Sequence, residues 1–108
     1  MTAFPLITGR ELSEVAPGPG LVLVDFWQVS CAPCRALEPR LEQFHRRHPG
    51  DFTGYRIDVD TEQETIATYQ VMSIPTIVVL RDGVEVTRLD GLIRDTDLDH
   101  ALHLARSG

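Results

Sequence analysis

The chain contains two cysteines, Cys31 and Cys34, separated by two residues. The run before them, residues 21–27, is apolar apart from one carboxylate and predicts a buried strand. After Cys34, Leu37 and Leu41 recur at the spacing of one helix face. A Cys-x-x-Cys pair that opens a helix after a buried strand is typical of a dithiol/disulfide redox site.

The start of this helix should give the two sulfurs different environments. A helix N-terminus presents unpaired N–H groups and a partial positive charge, and both favour a thiolate. Cys31 should lie at or just before the first turn, whereas Cys34 lies one turn further on the apolar face. Pro33 suits the first turn because its missing N–H would have no helical partner there. We therefore predict that Cys31 is the attacking nucleophile and Cys34 the resolving thiol.

Two structural roles for the cysteines, a stabilising disulfide and a zinc site, are less well supported than the redox role. A disulfide across four residues would stabilise the fold by roughly 2 kcal/mol, about half of what a bridge across most of the chain would give. Together with His45 and His48, the cysteines approach a zinc-finger spacing. On one helix at ~1.5 Å per residue, however, Cys34 and His45 would be about 16 Å apart. No metal site is predicted.

Asp25 is the single carboxylate in the predicted buried strand. An ionised carboxylate is costly to bury, so the side chain should be protonated or paired. The alternative is that it lies at an exposed end of the strand. If it is buried below Cys34, it could take up and return the proton of that thiol.

Composition limits the classes of partner. The 108 residues carry a formal charge of −6, and all ten basic residues are dispersed arginines, which argues against a nucleic-acid surface. No segment approaches the ~20 apolar residues of a membrane span, and the N-terminus lacks the pattern of a secretory signal. We expect a cytoplasmic protein, with a secreted form that has lost its signal as the alternative.

Local signals predict one domain over residues 1–108, with elements in the order β-α-β-α-β-α-β-β-α. Such an order implies one mixed sheet with helices on both faces. Two pairs, Thr8 with Glu11 and Thr61 with Glu64, have the spacing of a capping box. Strands are expected over 4–7, 21–27, 52–59, 76–80 and 84–89, and helices over 9–16, 34–48 and 61–69 and after Gly91, the last one capped by Asp95 or Thr96.

Taken together, these residues resemble the thioredoxin family along essentially the whole chain. A Cys-x-x-Cys alone would be a weak signal, but its position among the other motifs makes the resemblance specific. The resemblance is carried by Val24-Asp25-Phe26-Trp27, Cys31-Ala32-Pro33-Cys34-Arg35, Pro39, Arg56-Ile57-Asp58-Val59-Asp60, Ser73-Ile74-Pro75-Thr76, Gly83 and Gly91.

The resemblance implies an α/β thioredoxin fold. Its single mixed sheet would have five strands in the order 1-3-2-4-5, with the last two antiparallel and four helices around them. Asp25 matches the buried aspartate that assists Cys34, and Pro75 matches a cis-proline that faces the active site. Trp27, Pro33 and Arg56 would support the site. Substrate contacts would come from Ser30, Ala32, Ser73, Ile74 and Gly91, with the Ile74 backbone pairing with the substrate chain.

The resemblance also implies a thioredoxin-type protein-disulfide reductase. Its substrates would be disulfide-containing proteins, attacked by Cys31 to form a mixed disulfide that Cys34 resolves. It would bind no cofactor, and its electrons would come from NADPH through thioredoxin reductase or a related donor. A monomer is expected. The alternatives are a disulfide oxidant or isomerase, and a redox-inactive binding or chaperone-like subunit.

Several residues depart from the family pattern. Ser30 and Ala32 replace the tryptophan and glycine that usually surround the first cysteine. Arg56 replaces a lysine near the buried aspartate, and its charge cannot be lost in any useful pH range. Asp90 stands before Gly91 where an apolar residue is common. The sequence therefore predicts familiar chemistry with an altered partner-facing rim.

Overall fold

The computed structural model describes residues 2–107, so that Met1 and Gly108 of the predicted domain lie outside the described part. Among these residues, no helix is both long and apolar enough to cross a membrane. The elements are α1 (Gly9–Val15), β1 (Leu21–Trp27), α2 (Ala32–Arg47), β2 (Thr53–Asp58), α3 (Gln63–Tyr69), β3 (Thr76–Arg81), β4 (Val84–Asp90) and α4 (Asp95–Ser107).

The strands form one mixed sheet in the order β2-β1-β3-β4. β1 runs parallel to β2, whereas β3 is antiparallel to both β1 and β4. The predicted antiparallel pairing of the last two strands is thereby confirmed. β1 lies inside the sheet, and residues 22–26 are all buried. A strand that is covered on both faces needs a nearly continuous apolar run, which explains its sequence.

The prediction of a fifth strand over residues 4–7 is wrong for the described chain. Leu6 forms only an isolated parallel bridge to Arg56 at the outer edge of β2. The flanking N–H groups bind carboxylates instead, because Ala3 N donates to Glu42 (2.8 Å) and Gly9 N donates to Glu62 (2.6 Å). Pro5 has no N–H to donate to β2 on the other side of the bridge, so the ladder extends in neither direction. The other four strands keep the predicted relative order.

Helices cover both faces of the sheet, as predicted. Since side chains alternate along a strand, Leu23 and Asp25 point to one face of β1 and Val24 to the other. The Leu23 face packs against α2 and α4, and its core contains Phe4, Leu23, Leu37, Leu41, Phe44, Phe52, Ile77, Val79, Ile93, Leu98, Ala101, Leu102 and Ala105. The opposite core, next to α1, contains Leu12, Ala16, Val22, Val24, Phe26, Ile57, Val78 and Leu80.

The capping predictions have different outcomes. The capping box at α1 is confirmed, because Thr8 accepts from Glu11 N and Glu11 accepts from Thr8 N. The one predicted at Thr61 is wrong, since α3 is preceded by Glu62 and has no side-chain cap. The Thr61 hydroxyl donates instead to the Asp58 carbonyl (3.4 Å).

The predicted cap of the last helix is also wrong. α4 begins at Asp95 itself, so Asp95 and Thr96 both lie within its first turn. The Asp97 carboxylate, two residues after Asp95, accepts from Arg94 N at 2.9 Å. A carboxylate inside the first turn thus accepts the hydrogen bond of the backbone N–H just before the helix.

These caps can be tested with a matched pair of substitutions. Thr8→Ala should lower the free energy of unfolding by about 1 kcal/mol, because it removes a capping bond. Thr61→Ala, at a site of the same sequence pattern without a cap, should stay within about 0.5 kcal/mol of wild type. Urea denaturation measures both. Equal losses in the two variants would contradict the assignment.

Candidate redox site at the start of α2

Cys31 and Cys34 form a disulfide at the N-terminus of α2, with their Cα atoms 5.2 Å apart. Cys31 is the N-cap residue, and its Sγ accepts from Cys34 N at 3.2 Å. Cys34 is fully buried, whereas Cys31 is partly exposed. The predicted difference in burial is confirmed, and Cys31 is the sulfur that a large reactant can reach.

Asp25 is fully buried in the middle of β1, so its placement at an exposed strand end is excluded. Within residues 2–107, neither carboxyl oxygen has a hydrogen-bond partner. Removal from water raises the pKa of Asp25 from 3.8 to about 7, although the charge of Arg56 acts against the rise and that of Glu38 adds to it. The carboxyl can therefore gain or lose a proton near neutral pH.

Arg56 lies between two carboxylates. Its Nε is 3.7 Å from Asp25 Oδ2, too far for a hydrogen bond, while its Nη1 is 2.9 Å from Glu38 Oε1. The guanidinium also stacks over the Trp27 ring at 5.2 Å from its centroid. This arrangement places Trp27 and Arg56, both predicted as supporting residues, in direct contact near Asp25.

The sequence prediction did not include Glu38. Its signal was its spacing, since it follows Cys34 by four residues and therefore lies one turn further along the same side of α2. It also lines a cavity of about 360 Å³ together with Thr2, Pro39, Glu42 and Arg56. The ion pair between Glu38 and Arg56 is therefore adjacent to solvent-accessible space.

An apolar groove lies beside the disulfide. The Ile74–Pro75 bond is cis, as the resemblance implies. Leu92, which the sequence prediction did not include, lies at the rim of the groove. Its large apolar side chain is 82% exposed, and this exposure is the observation that marks it as a site residue. The groove has a volume of about 390 Å³ and is lined by Pro33, Ala36, Leu37, Arg40, Ile74, Pro75, Gly91, Leu92 and Ile93.

Four predicted residues, Pro33, Ile74, Pro75 and Gly91, line this groove. The other three predicted substrate contacts lie outside its lining. Ser30 lies exposed in the turn before Cys31, and Ala32 is the exposed first residue of α2. The Ser73 carbonyl accepts from Thr76 Oγ1 at 2.5 Å, which connects it to the start of β3.

The histidines of the possible zinc pattern have other neighbours. His48 Nε2 is 3.0 Å from Asp99 Oδ1 of α4, and the His45 ring packs edge-on against Phe52. Within residues 2–107, no group of three or more His, Cys, Asp or Glu side chains is arranged to hold a metal ion.

Comparisons with known proteins converge on one family. The family model described as Thioredoxin matches residues 11–103. A thioredoxin of Mycobacterium tuberculosis is 44% identical over 70 residues, which are 65% of this chain and 60% of that protein. One from Alicyclobacillus acidocaldarius is 36% identical over 79% of this chain and 81% of its own length. The chain therefore spans less than two thirds of the mycobacterial protein.

Solved structures give the same result for the fold. A mutant thioredoxin from Halobacterium salinarum has a TM-score of 0.79 and 33% identity, with 97% of this chain and 90% of that chain covered. The thioredoxin of Fasciola hepatica has a TM-score of 0.81 and 31% identity, with 93% and 96% covered.

The buried carboxyl should leave a signature in stability. Between pH 4 and about pH 7 the folded protein keeps a proton on Asp25 that the unfolded chain releases, so its contribution to stability falls as pH rises. The pKa rise from 3.8 to about 7 corresponds to about 4 kcal/mol. Asp25→Asn should therefore gain stability relative to wild type by up to that amount between pH 4 and pH 8.

Chemical denaturation of the oxidised protein at several pH values measures this difference. Asp90→Asn, which removes the same charge at an exposed position, is the control and should show no such trend. A constant difference between Asp25→Asn and wild type across the pH range would show that Asp25 ionises normally.

Proposed function

The chain belongs to the thioredoxin family, and we propose that it is a thiol–disulfide oxidoreductase that reduces protein disulfides. One observation carries this proposal: a partly exposed Cys31 at a helix N-cap is disulfide-bonded to a fully buried Cys34. In such a pair the Cys31 sulfur can attack a target or be attacked by a thiol, while the Cys34 sulfur is shielded from competing thiols.

Cys31 performs the first step in the proposed reaction. Its thiolate attacks one sulfur of a target disulfide, the target S–S bond breaks, and the second target sulfur leaves as a thiolate. The N-cap position supports this assignment, because the backbone N–H of Cys34 already donates to Cys31 Sγ at 3.2 Å. A hydrogen bond of this kind stabilises a thiolate more than a thiol.

Cys34 completes the reaction. It gives its proton to Asp25, and its thiolate attacks the Cys31 sulfur of the mixed disulfide. The bond between Cys31 and the target breaks, the Cys31–Cys34 disulfide forms, and the first target sulfur leaves as a thiolate. Two electrons have then passed to the target. A carboxyl whose pKa is about 7 suits this transfer, because it accepts and returns a proton near neutral pH.

The apolar groove is proposed as the contact surface for the target protein. Pro33, Ile74, Pro75 and Gly91 line it, next to the accessible sulfur. The Ile74 backbone would pair with an extended target segment, and the groove would accept an apolar side chain of that segment. Ser30, Ala32 and Ser73 would contribute from the rim.

The remaining parts of the proposal concern the setting of the reaction. Electrons would come from NADPH through thioredoxin reductase or a related donor, without a cofactor bound to this chain. We further propose a monomeric, single-domain protein that works in the cytoplasm. These statements rest on the family membership and on the sequence.

Insulin reduction with dithiothreitol tests the proposed activity. Wild type should accelerate precipitation of the insulin chains, Cys31→Ser should lose essentially all acceleration, and Cys34→Ser should accumulate a mixed disulfide detectable by mass spectrometry. Activity of Cys31→Ser equal to wild type would favour a binding module. Coupling to NADPH and a thioredoxin reductase tests the donor, and a reduction potential near about −180 mV would favour an isomerase.

The loss of the flanking aromatic residue is testable separately. Ser30→Trp should raise reduction rates across several model disulfides, because it adds apolar contact area beside the nucleophile. Ser30→Ala is the control for loss of the hydroxyl alone. Steady-state rates that are unchanged in Ser30→Trp would exclude this explanation.

A further inference from the structure

We infer that Glu38 is a positioning residue for the proposed proton transfer: it binds the Arg56 guanidinium and thereby keeps Arg56 from forming a hydrogen-bonded ion pair with Asp25. The inference rests on the proposed function for its chemical meaning. Its geometric basis is independent of turnover, because it concerns which carboxylate the arginine binds.

The distances show that the Arg56 guanidinium lies closer to one of its two neighbouring carboxylates than to the other. Nη1 forms a close ion pair with Glu38 Oε1 at 2.9 Å, whereas Nε lies 3.7 Å from Asp25 Oδ2. In the described part of the chain, the buried Arg56 Nε and both oxygens of Asp25 have no hydrogen-bond partner. Donor and acceptor thus face each other without bonding, although a small movement of the guanidinium would join them.

Two contacts hold the guanidinium in this position. Glu38 binds its terminal nitrogen from α2, and the Trp27 ring supports its face at 5.2 Å. The Arg56 side chain is only 13% exposed, so water does not readily replace either contact. Loss of the Glu38 carboxylate would leave Asp25 as the one anion within reach that the structure records for Arg56.

The chemistry of arginine explains why such a restraint matters here. Its guanidinium keeps its charge at any useful pH and presents donors that match a carboxylate in pairs. A bonded Arg56 would hold Asp25 ionised and so weaken it as an acceptor for the Cys34 proton. Glu38 offsets the charge of Arg56 and takes one of its donors, leaving Asp25 free to be protonated.

Among the described residues, the charged groups that act on the Asp25 carboxyl come from two elements. β2 contributes Arg56, which lies opposite Asp25 in the parallel register. α2 contributes Glu38, which follows the disulfide-bonded Cys34 by one turn. On β3 the residue opposite Asp25 is the apolar Ile77. Of the two charged groups, Arg56 lowers the pKa of Asp25 and Glu38 raises it.

Glu38→Gln tests the inference with little risk to folding, since it keeps the shape of a side chain that is 33% exposed. The readout is the titration of the Asp25 carboxyl carbon by NMR in the oxidised protein, where neither cysteine titrates. The midpoint should move to lower pH by about one to three units. An unmoved midpoint overturns the inference.

Glu42→Gln is the matched control. Glu42 lies one turn after Glu38 on α2 and lines the same cavity, but it binds Thr2 and Ala3 N rather than Arg56. Its loss removes the same charge from the same region. The Asp25 midpoint should stay close to wild type, and an equal shift in both variants would reveal a general charge effect that contradicts a specific role for Glu38.

The same substitution in an Arg56→Met background distinguishes an effect of Glu38 through Arg56 from a direct electrostatic effect of Glu38 on Asp25. If Glu38 acts through Arg56, Glu38→Gln should move the Asp25 midpoint much less in Arg56→Met than in the wild-type background. An equal shift in both backgrounds would show that Glu38 acts on Asp25 directly, and the inference would be rejected.

Turnover provides a further and distinguishable readout. In Glu38→Gln the acid limb of the pH profile for insulin reduction should move to lower pH along with the NMR midpoint, whereas Glu42→Gln should keep the wild-type profile. A moved midpoint with an unmoved acid limb would reject the role in catalysis. If wild type did not reduce insulin at all, the proposed function would fail, while the NMR titration would still decide how Arg56 is held.

Discussion

The burial of the Asp25 carboxyl, which has no hydrogen-bond partner among residues 2–107, is the constraint on which the site depends. Asp25 lies in β1 between β2 and β3, on the face that α2 and α4 cover. Because it is fully buried, ionisation is costly and its pKa rises to about 7. The same burial that lowers stability at high pH therefore gives a carboxyl that gains and loses a proton near neutral pH.

A single helix, α2, carries both cysteines and Glu38. The first turn of α2 holds Cys31 at its N-cap and buries Cys34, and the next turn directs Glu38 to Arg56. One rigid element therefore sets the accessible sulfur, the shielded sulfur and the ion pair that restrains the arginine. A rotation of α2 would disturb all of these contacts together.

Short sequence patterns predicted the local structure correctly where the hydrogen-bond partners are also close in sequence. The capping box of Thr8 formed as its sequence predicts, whereas the matching pattern at Thr61 did not. There Glu62 is the residue before α3, and its carboxylate accepts from Gly9 N of α1. The first predicted strand was reduced to a bridge, because Pro5 has no N–H to donate on one side and the Gly9 N–H on the other side binds the distant Glu62 carboxylate.

The sequence by itself determined the redox pair, its asymmetry and the presence of a carboxylate in a buried strand, since a helix start and an apolar run are set by neighbouring residues. Only the tertiary structure decided what surrounds Asp25 and which segments form the groove. The Asp25–Arg56 contact depends on strand register, and the Arg56–Glu38 contact on how α2 packs. Electrostatic and packing energies depend on distances between residues far apart in the chain, and those distances exist only in the folded molecule.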